Sequence, residues 1–258
     1  MEKNLAILER YKKRKISAEE AIRLLYDQQI LEIEDFAHID LDRKQRCGIP
    51  EVILAENKDD EQIVKITREL VEEKGYAILT RVSEGQHKKI KKLNYPTRWE
   101  KQARVLVVTK EEHEPCKTGG KVGIITAGTA DIPVAEEARV VAEEQGCEVL
   151  TGYDVGVAGI HRLVHVIEEF LKNKIDVYIV VAGREGALPT LVAGLVEGPV
   201  LGLPTSGGYG VGGEGRAAIC SMLQSCSPLA VVNIDGGFVA GVVASKIANK
   251  IAEARNSK

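Results

Sequence analysis

The stretch KVGIITAGTADIPVAEEARVVAEEQGCEVLTGYDVGVAGIHRLVHVIEEFLKNKIDVYIVVAG, residues 121–183, decides the fold, because it alternates short apolar runs with longer amphipathic ones. The runs KVGIITAG and DVYIVVAG are rich in Val and Ile, as buried parallel strands are. The helix between the first two strands has Pro in its first turn and Gly at its end. This alternation predicts parallel strands joined by helical crossovers.

The same rhythm continues to the end of the chain. PVLGLPT predicts a fourth strand and LAVVNIDGG a fifth, each followed by a helix, and FVAGVVASKIANKIAEARNSK closes the sequence. We therefore predict an α/β protein whose residues 121–258 form a doubly wound, five-stranded parallel sheet.

The first part of the chain predicts a smaller unit. Residues 1–33 read as two amphipathic helices, the second opened by Ser17 as N-cap with Glu20 at the capping-box position. Residues 34–110 contain the apolar runs EVILAE, GYAILTRV and ARVLVVT and one clear helix, which indicates a small α/β unit. The polar residues 111–120, with Pro and Gly, predict a linker.

Composition narrows the class of partner. The 258 residues are 44% hydrophobic and 28% charged, and a net charge of −3 gives no reason to expect nucleic acid or a membrane surface. No apolar run reaches the roughly 18–20 residues that span a bilayer, and the charged start is unlike a signal peptide, so we expect a cytoplasmic protein. The five scattered cysteines without a CxxC pair argue against a disulfide framework and a zinc site.

Ligands of such sheets lie beyond the carboxyl ends of the strands. The informative stretches follow predicted strands: TAGTAD, GVAGIHR, AGREGALP and PTSGGYGVGGEG, with CSP and IDGG flanking the fifth. We expect them all to share one rim.

Several of these residues suit anion binding. A helix start with threonine hydroxyls can hold a phosphate, although a plain turn capped by Asp131 explains TAGTAD equally well. Glycines let a backbone approach a ligand closely, which favours an anion-contacting loop over a flexible surface loop. Neither a Walker loop nor GxGxxG is present. The candidate substrate- or phosphate-binding residues are Thr126, Gly128, Thr129, Asp131, His161, Arg162, Arg184, Ser206, Gly207, Gly208, Gly210, Gly212 and Gly213.

Two residues are candidates for catalysis. Glu185, beside Arg184 at a strand end, could act as a base with a substrate anchor, or the pair could be an exposed ion pair. Cys226 lies between polar residues in a loop, so it is a candidate nucleophile, with an inert packing role equally open. Cys147 and Cys220 read as packed residues, and His161 with His165 lacks the further ligands of a metal site.

The unit from 121 to about 250 resembles the 5-aminoimidazole ribonucleotide carboxylase/mutase family. AGTAD, HR after the second strand, AGREGALP, PVLGLP and GGFVAGVVASKIA fall in that family's order. The family has His-Arg-Thr-Pro where this chain has Leu163 and Val164 after its His-Arg, and a His in place of Ala187. It also lacks counterparts of Glu185 and Cys226.

With IDLDRKQRCGIPEVILAENK near the start, these departures resemble the LarB family over roughly residues 10–255. That family, pyridinium-3,5-biscarboxylic acid mononucleotide synthase, begins nickel-pincer nucleotide synthesis for lactate racemase. The resemblance implies carboxylation of nicotinic acid adenine dinucleotide at ring C5 with CO2 or bicarbonate, and hydrolysis of its phosphoanhydride to release AMP. It assigns Cys226 as covalent nucleophile and Glu185 as base.

The resemblance also implies a divalent cation, expected to be Mg2+, held mainly by phosphates and water, with Asp131 and Asp235 as weak candidate ligands. It implies a homo-octamer, to which the apolar closing helix could contribute contacts. Two alternatives remain open: an aminoimidazole ribonucleotide carboxylase of purine synthesis, and a non-catalytic nucleotide-binding regulator. The regulator would bind dinucleotide without turnover, and its Cys226 would react with alkylating agents no faster than Cys147.

Overall fold

The computed structural model describes residues 2–27, 30–111 and 114–257. The described chain forms two compact units. The first takes the residues up to Leu79, together with Glu84–Thr97 and the segment from Val107 to 111. The second takes Thr80–Ser83, Arg98–Leu106 and the residues from 114 onward. Residues 114–120, in the predicted linker, carry no helix or strand, and positions 112 and 113 of that linker lie outside the described residues.

The elements of the N-terminal part are mostly short. The helices are α1 (Glu2–Lys12), α2 (Ala18–Asp27), α3 (Arg43–Cys47), α4 (Asp60–Lys74) and α5 (Glu84–Ile90). The strands are β1 (Ile30–Ile33), β2 (Ala37–Asp40), β3 (Val52–Leu54), β4 (Tyr76–Thr80), β5 (Thr97–Glu100) and β6 (Val105–Thr109). β1 and β2 form an antiparallel pair, and the other four make a sheet of order β3-β4-β6-β5.

The sequence predicts the main helices and the strongly apolar strands of this part and misses several short elements. Ser17 accepts a hydrogen bond from the Glu20 amide at 3.1 Å, which confirms the predicted N-cap of α2. α4 is capped by Asp59, whose carboxylate accepts from the amides of Glu61 and Gln62, and it ends at Gly75 with φ +82°. Ile30–Ile33, predicted within the helical segment 1–33, instead form strand β1. The sequence also misses β2 and β5, because these four-residue strands mix polar and apolar residues and lack the continuous apolar run that marks β3.

The C-terminal sheet is the predicted one. Its strands are β7 (Lys121–Thr126), β8 (Glu148–Gly152), β9 (Val177–Ala182), β10 (Val200–Pro204) and β11 (Ala230–Val231). All neighbouring pairs are parallel, in the order β11-β10-β9-β7-β8. The helices are α6 (Ile132–Glu144), α7 (Ile160–Asn173), α8 (Leu188–Ala193), α9 (Arg216–Leu223) and α10 (Gly237–Asn256). β11 is two residues long, shorter than the predicted run LAVVNIDGG.

The two faces of this sheet have different packing. On one face Ile124 and Ile179 meet alanines of α6 and α10, and on the other Ile125 and Val180 meet Phe170 and its neighbours. Successive strand residues thus enter opposite cores, which confirms the doubly wound arrangement. No described helix is long and apolar enough to cross a bilayer.

The closing helix uses its apolar face inside the chain. Ala240, Ala244 and Ala248 of α10 are buried against the sheet, and a Cβ on Gly241 would lie 2.6 Å from the carbonyl oxygen of Ala138 in α6. Small residues here let the two helices approach closely. Val239 on the same helix stays exposed, so the prediction that α10 also contributes contacts between copies remains a prediction.

Candidate functional site

A cavity of about 530 Å³ opens at the carboxyl ends of the strands. It lies where the strand order reverses, between β7 and β9, which is the usual ligand position in doubly wound sheets. The loops after β7, β8, β9 and β10 all contribute to its wall. The lining residues are Ala127, Gly128, Ala130, Asp131, Gly156, Val157, Ala158, Arg162, Ala182, Gly183, Arg184, Glu185, Leu188, Gly207 and Tyr209.

Four of the stretches singled out in the sequence thus meet around one space. The predicted site residues that line it are Gly128, Asp131, Arg162, Arg184, Glu185 and Gly207. The cavity combines two guanidinium groups with one exposed carboxylate and a wall made largely of glycine and alanine. Such a surface admits the backbone contacts and charge pairing that an anionic ligand needs.

Asp131 forms a fixed polar floor. Its carboxylate is buried, and its two oxygens accept hydrogen bonds from the Gly128 amide at 2.8 Å and the Thr205 hydroxyl at 2.6 Å. Asp131 occupies the predicted N-cap position of α6, but its side chain makes no capping hydrogen bond to that helix and instead closes the preceding turn. Gly183 lies against this pair, since a Cβ there would sit 2.8 Å from the Thr205 hydroxyl oxygen.

Arg184 and Glu185 form one wall, in the turn that follows β9. Arg184 has φ +47° and Gly186 φ +65°, so the chain turns sharply as it leaves the strand. Both side chains are exposed. The Arg184 guanidinium carbon lies 5.0 Å from the centre of the Tyr209 ring. Glu185 is therefore accessible to a ligand in the cavity, beside a cationic group.

Arg162 lines the cavity from the first turn of α7, which follows β8, and β8 lies on the other side of β7 from β9, the strand before Arg184. Its Nη1 atom lies 2.8 Å from Oδ2 of Asp154. Gly159 makes room for the guanidinium, because a Cβ there would approach its Nε to 2.8 Å. The cavity therefore has one cationic group on each side.

The remaining predicted binding residues lie outside the cavity lining. The Thr126 hydroxyl is fully buried and accepts a hydrogen bond from the Asp154 amide at 3.0 Å, so it supports the turn after β8. The Ser206 amide donates to Oδ1 of Asp235 at 2.9 Å, which fixes the start of the glycine loop. The others that do not line the cavity are Thr129, His161, Gly208, Gly210, Gly212 and Gly213.

Cys226 does not join this cavity within one chain. The register pairs Ala230 with Leu201, near the start of β10, so the residues before β11 lie toward the amino ends of the strands. Ser225, next to the cysteine, accepts a hydrogen bond from Thr190 of α8 at 2.9 Å. The expectation that CSP shares the rim is wrong, because a residue before a parallel strand cannot lie at that strand's carboxyl end.

The cysteines nevertheless differ in their surroundings. Cys226 is exposed, as a reactive thiol must be. Burial raises the pKa of Cys147 to about 12, so this thiol stays protonated and is suited only to packing. Cys220 is exposed on α9, and the prediction that it packs is wrong.

The described residues contain no group of three or more His, Cys, Asp or Glu side chains placed to hold a metal ion. Both oxygens of Asp131 already accept hydrogen bonds from the chain, and Asp235 is engaged with Ser206. These two carboxylates do not form a ready-made cage. A cation here would depend on ligand phosphates and water, as Mg2+ commonly does.

Sequence reasoning overlooked several lining residues. In the sequence, Tyr209 is flanked by the glycines of the loop after β10, and nothing marks it as a lining residue. Gly156 and Val157 begin the stretch GVAGIHR, in which only the His-Arg pair suggests a ligand contact. A Cβ on Gly156 would lie 2.8 Å from the carbonyl oxygen of Ala127, which explains the glycine. No sequence signal marks such a contact between loops distant along the chain.

Two family models match the chain. Residues 31–111 match the LarB/PurE-like N-terminal domain, and residues 121–258 match AIR carboxylase. An uncharacterized protein of Methanocaldococcus jannaschii is 43% identical over 255 residues, covering 96% of this chain and 98% of that protein.

Other similarities concern the second half. An N5-carboxyaminoimidazole ribonucleotide mutase of Methanocaldococcus jannaschii is 35% identical over 127 residues, 48% of this chain and 76% of that protein. A crystal structure of Treponema denticola PurE matches with a TM-score of 0.38 and 20% identity, over 53% of this chain and 91% of that one.

Proposed function

This chain belongs to the LarB family, related to AIR carboxylase, and from that premise we propose that it carboxylates the pyridinium ring of nicotinic acid adenine dinucleotide at C5 and hydrolyses the phosphoanhydride. The products are pyridinium-3,5-biscarboxylic acid mononucleotide and AMP, at the first step of nickel-pincer nucleotide synthesis. The observation that carries the proposal is the cavity at the strand-order reversal, which Glu185 lines together with two arginines, Arg162 and Arg184.

The ring must first become a nucleophile. A pyridinium is electron-poor and does not attack CO2. Addition of the Cys226 thiolate to C4 forms a C–S bond and neutralises the ring nitrogen, leaving an enamine with a nucleophilic C5. C5 then attacks CO2 to form the new C–C bond, and the ring nitrogen becomes positive again.

Glu185 acts in the return to aromaticity. The proton on C5 passes to its carboxylate, and the electron pair of that C–H bond returns the ring to the enamine. Expulsion of the thiolate from C4 then restores the pyridinium. The sequence of steps consumes one CO2, releases one proton and needs no oxidant.

The anionic parts of the dinucleotide match the rest of the cavity. Arg162 and Arg184 bind carboxylate or phosphate, and the turn at Gly128 and the loop at Gly207 bring backbone close to the phosphates. A Mg2+ ion, when bound by the phosphates, supplies charge neutralisation for the phosphoanhydride step. The chain's own contribution to that step is to orient the phosphates.

Cys226 requires a further condition. Because it lies outside the cavity of a single copy, we propose that a second copy of the chain brings its cysteine to the ring. The exposure of Cys226 is compatible with such an arrangement.

The direct test uses the purified protein with the dinucleotide, labelled bicarbonate and Mg2+. We expect label in the pyridine ring together with AMP. Glu185→Gln should lower the carboxylation rate about 10²–10⁴-fold, the range for loss of a general base, and Cys226→Ala should abolish it. His165→Gln, at an exposed position outside the cavity, is the matched control. Absence of label with the unaltered protein would refute the proposal.

A second candidate is the ribonucleotide carboxylation of purine synthesis, favoured by the AIR carboxylase match over residues 121–258. Leu163 and Val164 stand where that family has Thr-Pro, which counts against it. Turnover of aminoimidazole ribonucleotide, without labelling of the dinucleotide, would transfer the assignment to this reaction.

A further inference from the structure

Tyr209 and Arg184 make a contact at the cavity that the sequence did not indicate. The guanidinium carbon of Arg184 lies 5.0 Å from the ring centre of Tyr209, within the range of a cation–π interaction. Both residues line the cavity, yet 78% of the Tyr209 surface remains exposed. A tyrosine this exposed contributes little to the core, so core packing does not explain its contact with Arg184.

The two cavity arginines differ in their partners. Arg162 is paired with the carboxylate of Asp154 at 2.8 Å. Arg184 has no carboxylate partner within the described part of the chain, and its guanidinium contacts the Tyr209 ring instead. A guanidinium stacked on an aromatic face keeps its edge N–H donors available. Arg184 is thus the cavity arginine whose N–H groups are available to bind the carboxylate of a ligand.

The backbone fixes the position of the tyrosine. Gly208 lies directly on Arg184, since a Cβ there would come within 3.2 Å of the Arg184 amide nitrogen. Two residues earlier, the Ser206 amide is held by the Asp235 carboxylate. The segment leading into Tyr209 is therefore anchored at both points, which places its ring against the guanidinium.

We infer that Tyr209 is a positioning residue that holds the Arg184 fork for a carboxylate on the substrate ring, and that this pair selects a pyridinium carboxylate over the carboxamide. The inference rests on the proposed function. A planar guanidinium donates two parallel hydrogen bonds to a carboxylate. A carboxamide offers one oxygen, and its NH2 group would face another donor, so it loses one bond and the charge attraction.

Binding measurements test this without catalysis. Calorimetry on the full chain, with no CO2 present, compares nicotinic acid adenine dinucleotide with NAD. The unaltered protein should prefer the acid. Arg184→Gln should reduce that preference about tenfold or more, as expected for loss of a charged hydrogen bond, and Tyr209→Leu about threefold to tenfold. Tyr209→Phe should keep most of the preference, because the ring face makes the contact.

Val211→Ala is the matched control, at a fully exposed position in the same loop that does not line the cavity. It should leave the preference unchanged, and circular dichroism should show all variants folded. An unaltered preference in Tyr209→Leu would overturn the inference while the proposed function stands. Equal losses in Tyr209→Phe and Tyr209→Leu would overturn it too, since the hydroxyl would then be responsible. If the unaltered protein binds neither dinucleotide, the proposed function itself fails.

Discussion

At the scale of single residues, the shape of the cavity depends on glycines, which lack a Cβ. Gly183 leaves room for the hydrogen bond between Thr205 and the buried Asp131 carboxylate, and Gly156 leaves room for the carbonyl of Ala127. A buried carboxylate is stable only with hydrogen-bond partners, so the Asp131 side chain tolerates little displacement of the residues that bond to it.

This requirement predicts opposite tolerance at two cavity glycines. In Gly183→Ala the new methyl group would lie 2.8 Å from the Thr205 hydroxyl oxygen, whereas in Gly128→Ala it would meet Asp131 at an ordinary 3.6 Å. We expect Gly183→Ala to lower the free energy of unfolding by about 1–3 kcal/mol, as overpacking does. Gly128→Ala should cost clearly less. Urea titrations measure both, and equal costs would contradict the steric argument.

At the scale of elements, α6 links the core to the site. It begins directly after the cavity turn that holds Asp131, and along its length it packs against α10. The approach is close because alanine and glycine face each other, with Gly241 against Ala138. The position of the cavity turn therefore depends on how near α10 lies to α6.

Substitution of Gly241 tests the packing of these helices. Alanine is favoured over glycine within a helix by about 1 kcal/mol, so an unhindered change would stabilise α10. Here the added Cβ would lie 2.6 Å from a backbone carbonyl oxygen of α6, which cannot move alone. We expect Gly241→Ala to be destabilising overall by about 1–2 kcal/mol. Val239→Ala, at a half-exposed position of α10, is the control, and a raised melting temperature for Gly241→Ala would disprove the expectation.

At the scale of the whole molecule, one chain presents an incomplete version of the proposed site. Glu185 lines the cavity, whereas Cys226 lies toward the amino ends of the strands. The covalent mechanism needs both groups at one pyridinium ring. A symmetric assembly of copies can supply the second from a neighbour.

Mixing two impaired variants tests this sharing. Alone, Cys226→Ala should be inactive and Glu185→Gln should keep about 1% of the carboxylation rate or less. Co-expressed in equal amounts, they should regain about a quarter of the carboxylation rate, because random assortment across a shared interface makes one site in four complete. Co-expression of Cys226→Ala with the double variant is the control and should remain inactive. If the mixture stays inactive while assembling normally, the two groups act within one chain or Cys226 has no covalent role.

The sequence by itself determined the fold of the second half, because alternating strands and amphipathic helices are recorded in local periodicity. It also pointed to Asp131, Arg162, Arg184 and Glu185, since polar residues just after a strand stand out against an apolar run. Only the tertiary structure decided which of the loops expected at that rim form the cavity and which do not. Three features depend on contacts between segments that are distant along the chain: the strand order, the contact of Tyr209 with Arg184 and the position of Cys226. Hydrophobic periodicity is a local property, so it does not predict such contacts.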